Sequence, residues 1–210
     1  MIWSQMRTNV AIAMAAEKKH SETDLSPQKA SPSKDRLAGL IENLKLIAIA
    51  LMIAAIVRVF IAEPRYIPSP SMVPTLSVGD RLLVDKISYR FHAPKPGDIV
   101  IFEPPPQLQE YGYSTKQAFI KRVVGLPGQT VEVDEGVVLV DDKPVVESYT
   151  LEPPHYEMPA VRVPPNNLFV MGDNRNDSND SHVWGFLPVD NVIGRAAFRF
   201  WPLPRLGLFD

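Results

Sequence analysis

The sequence predicts a mainly β protein, antiparallel sheets or a partly closed barrel, behind one N-terminal transmembrane helix. Three observations predict it. Short runs rich in Val, Ile, Leu and Phe recur from residue 81 onward, separated by Gly- and Pro-bearing turns, as consecutive antiparallel strands require. A single long apolar run, Leu44 to Ala62, precedes them. No long helical periodicity follows it.

Residues 1–43 contain "EKKHSETDLSPQKASPSKDR", which is Ser-, Lys- and Pro-rich with little apolar surface to bury, so a disordered segment is expected. Residues 44–62, "LKLIAIALMIAAIVRVFIA", are apolar around the whole helix circumference, as a membrane span is and a surface helix is not. Arg58 interrupts the run near one end, where its stem can snorkel toward the headgroups. The long polar stretch ahead of the run argues against a cleaved signal peptide. Lys29, Lys34, Arg36 and Lys45 lie on the N-terminal side, which orients that end toward the cytoplasm. Residues 63–210 then form a β-rich domain on the opposite face of a single-pass protein.

Within that domain "RLLVDKIS", "DIVIFEP", "AFIKRVVGL", "QTVEVD", "GVVLV", "NLFVMG" and "NVIGRAAFRF" are the predicted strands, with "KPGD", "LPGQ", "DEG" and "DDKP" as turns. Proline, at 21 of 210 residues, is about twice its usual ~5% and clusters in "EPPPQ" and "EPPHYEMPAVRVPP". Those stretches are loops or sheet edges.

Composition excludes several functions. A net charge of −2 and the lack of a basic stripe with interleaved aromatics give no case for nucleic acid. With no cysteine, disulfides, thiol nucleophiles and Cys-ligated zinc are out. His20, His92, His155 and His182 lie far apart and form no metal-binding pair, so a zinc site is not expected, and the serine–lysine chemistry considered below requires no cofactor.

Two serines among three prolines stand just past the apolar run, in "YIPSPSMVPTL". Pro68, Pro70 and Pro74 fix φ and push their predecessors to extended geometry, so Ser69 and Ser71 sit on a stiff piece rather than in a helix. This is either a Pro-rich linker or a presented nucleophile. A nucleophile needs a base, and with Cys absent and no histidine in a motif, lysine is the alternative. Lys121 in "FIKRVV" is flanked by apolar neighbours, and desolvation would have to bring its pKa down from ~10.4 by roughly 3 units. Spacing alone favours a lysine snorkelling from an edge strand. "MGDNRNDSNDSHVWGFLP" fails as an EF-hand, because Ser178 and Trp184 stand where Gly and Glu are required. It reads either as an Asx-rich turn or as a rigid polar loop that orients the base, with Asp173, Arg175 and Asp180 free to pair internally.

Together, "PSPSMVPTL", "GDRLLVDKISY", "KRVVGLPGQ" and "GDNRNDSNDSHVWGFLP", in that order behind a span, resemble the bacterial type I signal peptidases, with a cyanobacterial and thylakoid-like character. These are membrane serine–lysine proteases that remove signal peptides. The resemblance covers about residues 45–200 and implies a mostly antiparallel β catalytic domain. It implies Ser71 as nucleophile, Lys121 as general base, and the Ser69 hydroxyl with the Ser71 amide as oxyanion hole. Ser178 would hold the lysine amine, and Asp180, with Asp173 and Arg175, would support it. Shallow pockets lined by Ile67, Met72, Leu76 and Ile120 would select small side chains before the cut, in an A-x-A pattern. The implied partners are preprotein signal peptides and the lipid bilayer, of either the plasma or the thylakoid membrane. Two positions depart from the family pattern: Pro70 replaces the glycine that commonly precedes the nucleophile, and His182 replaces the arginine of Asp-Ser-Arg. Nine residues separate Ala62 from Ser71, so the serine lies within roughly 30 Å of the end of the span. The rival reading is a membrane-tethered β-domain that binds extended peptides without cleaving them.

Overall fold

A computed structural model describes residues 32–209. The chain divides into two compact units, one ending at Ile49 and one beginning at Ala50. The described part of the first is helical and belongs to α1, Pro32–Ile56. Proline is tolerated in the first helical turn, where its missing N–H costs nothing, and helix-forming Leu, Ala, Glu and Lys residues follow. The helix therefore starts ahead of the apolar run, within a stretch expected to be disordered; the rest of that stretch, residues 1–31, lies outside the described residues. Residues Arg36–Ile56 are long and apolar enough to cross a membrane, and none is buried.

The second unit carries the end of α1, a π-helical turn at Val57–Ile61, and the strands. The predicted helix was to end at Ala62; instead Ala62 opens β1, Ala62–Tyr66, which pairs antiparallel with β2, Arg81–Asp85. Pro64 hid this strand in the sequence, yet β1 ends the sheet, the position where a residue without N–H is tolerated. There follow β3 (Ile99–Phe102), α2 (Pro106–Glu110), β4 (Phe119–Gly125), β5 (Thr130–Asp134), β6 (Val137–Val140) and β7 (Lys143–Pro144). The C-terminal part supplies β8 (Met158–Arg162), β9 (Asn167–Met171), α3 (Ser181–Trp184), β10 (Leu187–Pro188), β11 (Val192–Trp201) and β12 (Gly207–Leu208).

The larger sheet runs β1-β2-β11-β3-β4-β9-β10, with β12 on β11; the smaller runs β7-β6-β5-β8. Every pairing is antiparallel. Register shifts in β11 and β4 bend the larger sheet, as bulges do, but its end strands do not pair, so it is an open, curled sheet. β8 comes from the Pro-rich "EPPHYEMPAVRVPP" and forms an edge of the smaller sheet.

Alternation along the strands divides the apolar side chains among three clusters. Ile67, Met72, Leu76, Leu82, Val84, Ile101 and Ile120 form the first. Val100, Phe102, Leu108, Val123, Val170, Trp184 and Leu187 form the second, and Val124, Val131, Val133, Phe169 and Met171 the third. β4 contributes to all three, and everything from Ile120 to Gly125 is buried. A polar side chain on β4 is therefore held in a dry environment.

Candidate active site

Ser71 sits on a tight turn built by its neighbours. The Val73 N–H donates to the Pro70 carbonyl (3.0 Å) and the Leu76 N–H to the Met72 carbonyl (2.8 Å). Before the turn, Ile67 exchanges two backbone bonds with the Gly79–Asp80 corner, where Gly79 has φ +95°, a conformation that glycine adopts without strain. Asp80 fixes that corner: it accepts from the Ser77 N–H (2.9 Å) and pairs with Arg199 (3.4 Å) and Arg205 (3.1 Å). On the far side, the Asn174 N–H donates to the Ser71 carbonyl (3.1 Å), and its side-chain amide reaches the Pro70 carbonyl (3.4 Å). The serine is thus held from two directions by groups 8 and more than 100 residues away in sequence.

Lys121 reaches Ser71 from β4, between β3 and β9. Its Nζ donates to Ser71 Oγ at 2.7 Å, and the two residues are 4% and 7% exposed. A snorkelling edge lysine is thereby excluded. Burial pushes the Lys121 amine down to about 8, against the pull of Asp180, Asp173 and Asp177, which favour the ammonium. Ser69 Oγ lies 3.3 Å from Ser71 Oγ.

The polar loop does not pair internally as expected. Asp173 takes a bidentate grip from Arg122, Nε to Oδ1 at 2.8 Å and Nη2 to Oδ2 at 2.7 Å. Arg122 also donates to the Gly97 carbonyl (2.8 Å) and stacks over Tyr149. Arg175 is fully buried and binds Glu147 through both terminal nitrogens, at 2.5 Å each. Asp180, also fully buried, caps α3, accepting from the Gly172 N–H (2.8 Å), the His182 N–H (3.2 Å) and His182 Nδ1 (2.7 Å). The short separations within the loop made pairing among these three plausible, but Asp173 and Arg175 find Arg122 and Glu147 outside it, and only Asp180 keeps its partners, Gly172 and His182, within the segment.

Ser178 Oγ is buried and makes no hydrogen bond, so the expected bond to the lysine amine is absent here. It packs against Gly172, where an added Cβ would overlap both Ser178 Oγ and the Ser71 carbonyl; only glycine lets these loop segments approach so closely. Of the four expected pocket residues, Met72 and Leu76 have no exposed surface and belong to the core. Ile67 and Ile120 line a groove of about 90 Å³ with Arg65, Tyr66, Pro68 and Ala118. The larger cavity, about 680 Å³, is lined by Phe91, His92, Leu126 and Val189 among others and contains neither Ser71 nor Lys121. Sequence reading missed Asn174, Arg122, Glu147 and Asp80 as parts of this assembly. Asn174, Arg122 and Asp80 each stand in a quoted motif, "GDNR", "KRVVGLPGQ" and "GDRLLVDKISY", whereas Glu147 lies outside all of them.

A desolvated lysine amine bonded to a serine hydroxyl on an antiparallel β-scaffold is the arrangement of a serine hydrolase that uses lysine as base. Residues 40–201 match the family "Signal peptidase, peptidase S26", and the chain belongs to that family. It is 62% identical over 166 residues to "Probable signal peptidase I-1" of Synechocystis sp., covering 79% of this chain and 85% of that protein. It is 49% identical over 181 residues to "Signal peptidase I" of Leptolyngbya laminosa, covering 86% and 88% respectively. "Probable thylakoidal processing peptidase 2, chloroplastic" of Arabidopsis thaliana is 50% identical over 161 residues, covering 77% of this chain and 44% of that protein.

Proposed function

We propose that this protein is a membrane-anchored signal peptidase that removes signal peptides from preproteins after small residues, through Ser71 and Lys121. The observation that carries the reading is the 2.7 Å contact between a buried lysine amine and the Ser71 hydroxyl. In its neutral form Lys121 accepts the Ser71 hydroxyl proton as Oγ bonds to the scissile carbonyl carbon. The carbonyl π pair moves to oxygen, and the oxyanion is held by the Ser69 hydroxyl and the Ser71 N–H. Collapse re-forms the carbonyl and breaks the C–N bond, the lysine proton going to the leaving amine. Water, deprotonated by Lys121, then cleaves the ester and releases the leader, and Ser71 regains its proton.

The groove between Ile67–Pro68 and Ile120 is narrow, which suits small side chains ahead of the cut. By the likeness to cyanobacterial and thylakoidal relatives, the membrane is the plasma or the thylakoid membrane. The N-terminus faces the cytoplasm and residues 63–210 the opposite side.

Purified Ser71→Ala and Lys121→Ala, assayed on a peptide whose leader ends Ala-x-Ala, should each abolish turnover. The double variant should lose no more than either single one, because the pair acts as a unit. Substantial cleavage by folded Ser71→Ala would refute the assignment and leave a peptide-binding β-domain as the better account.

A further inference from the structure

Pro74 and Thr75 lie inside the turn closed by the Leu76 N–H and the Met72 carbonyl, so a shift of Thr75 is passed to Met72, the neighbour of Ser71. One side of this turn is held by groups near the acidic loop. The Asn174 N–H bonds the Ser71 carbonyl, and Arg122, gripped by Asp173, donates to Thr75 Oγ1 at 3.3 Å.

The other side is held by an arm that the reaction has not called on. After β11 the chain turns through the short helix Leu203–Arg205 and folds back as β12. From this arm Arg205 donates Nη2 to the Pro74 and Thr75 carbonyls, at 3.2 Å each, and Nη1 to Asp80 Oδ1 at 3.1 Å. Arg199, on β11, donates Nη1 to the same Thr75 carbonyl (2.6 Å) and to Asp80 Oδ2 (3.4 Å), and its Nε to the Arg205 carbonyl. The arm is itself anchored, because β12 pairs with Phe198 and Arg199, the Phe209 N–H donates to the Ala197 carbonyl (3.1 Å), and Phe209 packs on the first apolar cluster. Two guanidinium groups thus converge on two successive carbonyls and on both oxygens of the buried carboxylate at the Gly79–Asp80 corner. A planar fork of donors matches such a set of acceptors, and an ammonium does not.

Lys121 is fixed separately, by the pairing of β4 with β3 and β9. The arm therefore bears directly on the serine's side of the 2.7 Å contact. It contributes nothing to the groove beside Ile67 and Ile120.

We propose that Arg205, with the arm that delivers it, is a positioning residue for catalysis: its guanidinium clamps the Pro74 and Thr75 carbonyls and so sets where the Ser71 turn lies against the Lys121 amine. The proposal rests on the reading of Ser71 and Lys121 as nucleophile and base. Loosening the clamp misaligns the reacting atoms and leaves the leader's groove in place, so the loss falls on kcat rather than on KM.

The test uses the full chain in detergent with an Ala-x-Ala leader peptide, kcat being expressed per site titrated with a serine-acylating probe. A misplacement of ~1 Å costs about 10²-fold in rate, so a partial shift in Arg205→Ala should lower kcat about tenfold or more and change KM by less than about threefold. Methylguanidinium, which fits the vacated place, should restore part of that kcat, and Arg205→Lys should fall between Arg205→Ala and wild type. Arg195→Ala removes a guanidinium that pairs with Asp98 instead; it should keep the wild-type kcat and not respond to methylguanidinium. The Arg205 side chain is 32% exposed and Asp80 keeps Arg199, so Arg205→Ala should fold; should it not, Arg205→Lys carries the comparison of kcat with KM. Wild-type kcat per titrated site in folded Arg205→Ala, however far its stability falls, overturns the proposal, since the arm would then only hold the fold together. So does a loss that appears mainly in KM, or one that neither lysine nor methylguanidinium relieves. A wild-type protein that the acylating probe does not label would instead refute Ser71 as the nucleophile, so the two failures are distinguishable.

Discussion

Replacing the candidate base by an apolar residue of similar shape should make the protein more stable while it destroys activity. Lys121 is buried, and its pKa lies below the usual 10.5, at about 8, chiefly because burial disfavours the ammonium. The sign follows from proton counting. The folded state gives up the lysine proton first, so between about pH 8 and 10.5 the unfolded chain binds more protons and stability rises with pH. Below pH 8 the full cost of a buried ammonium is present. At ~1.36 kcal/mol per pH unit, that cost is on the order of 3 kcal/mol.

Lys121→Met removes the charge, keeps the volume, and gives up the bond to Ser71 Oγ, a loss of about 1 kcal/mol. A net gain on the order of 2 kcal/mol at pH 7 remains, which corresponds to roughly 4–8 °C in Tm for a chain of this size. By pH 10 the ammonium cost has fallen to about 1 kcal/mol or less and the two proteins should be nearly equal. Unfolding of both full-length proteins in detergent, followed by tryptophan fluorescence at pH 7 and pH 10, measures the difference. A Lys121→Met protein that is less stable than wild type at pH 7, by the same margin as at pH 10, would show that the fold already compensates the ammonium.

Glu147→Gln should cost on the order of 3 kcal/mol, because it strands a guanidinium with no exposed surface. Glu63→Gln, whose bond to Arg65 is partly exposed, should cost at most about 1 kcal/mol, and parallel denaturant titrations would compare the two. Gly172→Ala should lower kcat and cost about 1–3 kcal/mol, since its methyl group overlaps the Ser71 carbonyl and Ser178 Oγ. Wild-type kcat in that variant would mean that the Ser71 turn relaxes without consequence.

Much of the fold was legible because its signals are local. The strands β2 to β6, β9 and β11 each carry a run of β-branched and aromatic residues bounded by turn residues. β1 lacked that signal: Glu63, Pro64 and Arg65 read as a linker, and only pairing with the apolar Leu82–Val84 makes them a strand. β8 was hidden by the prolines that make it an edge. At the site, Ser71 and Lys121 could be named from their motifs, but 50 residues separate them and only the pairing of β3, β4 and β9 brings them together. The partners of Asp173 and Arg175 could not be read at all, since Arg122 is 51 residues and Glu147 28 residues away.

Those partners explain why one buried cation at the site stands apart. Among the described residues, Lys121, Arg122 and Arg175 are the buried basic groups. A guanidinium cannot shed its proton at any ordinary pH, so burying it requires a carboxylate, and Asp173 and Glu147 supply one each. An amine has a second way to tolerate burial, which is to become neutral, and Lys121 alone of the three forms no ion pair among the described residues. The arginine pairs use up the strongest local cation partners and fix the loop that carries Asp180. What remains for the lysine is a dry wall, a serine hydroxyl at 2.7 Å and carboxylates that are already engaged. A free amine beside a hydroxyl is the form in which proton transfer can begin, and the surrounding charges keep it only a little above neutral pH. Desolvation lowers the proton affinity, the aspartates restore part of it, and the balance leaves a base that is both available and strong enough to act.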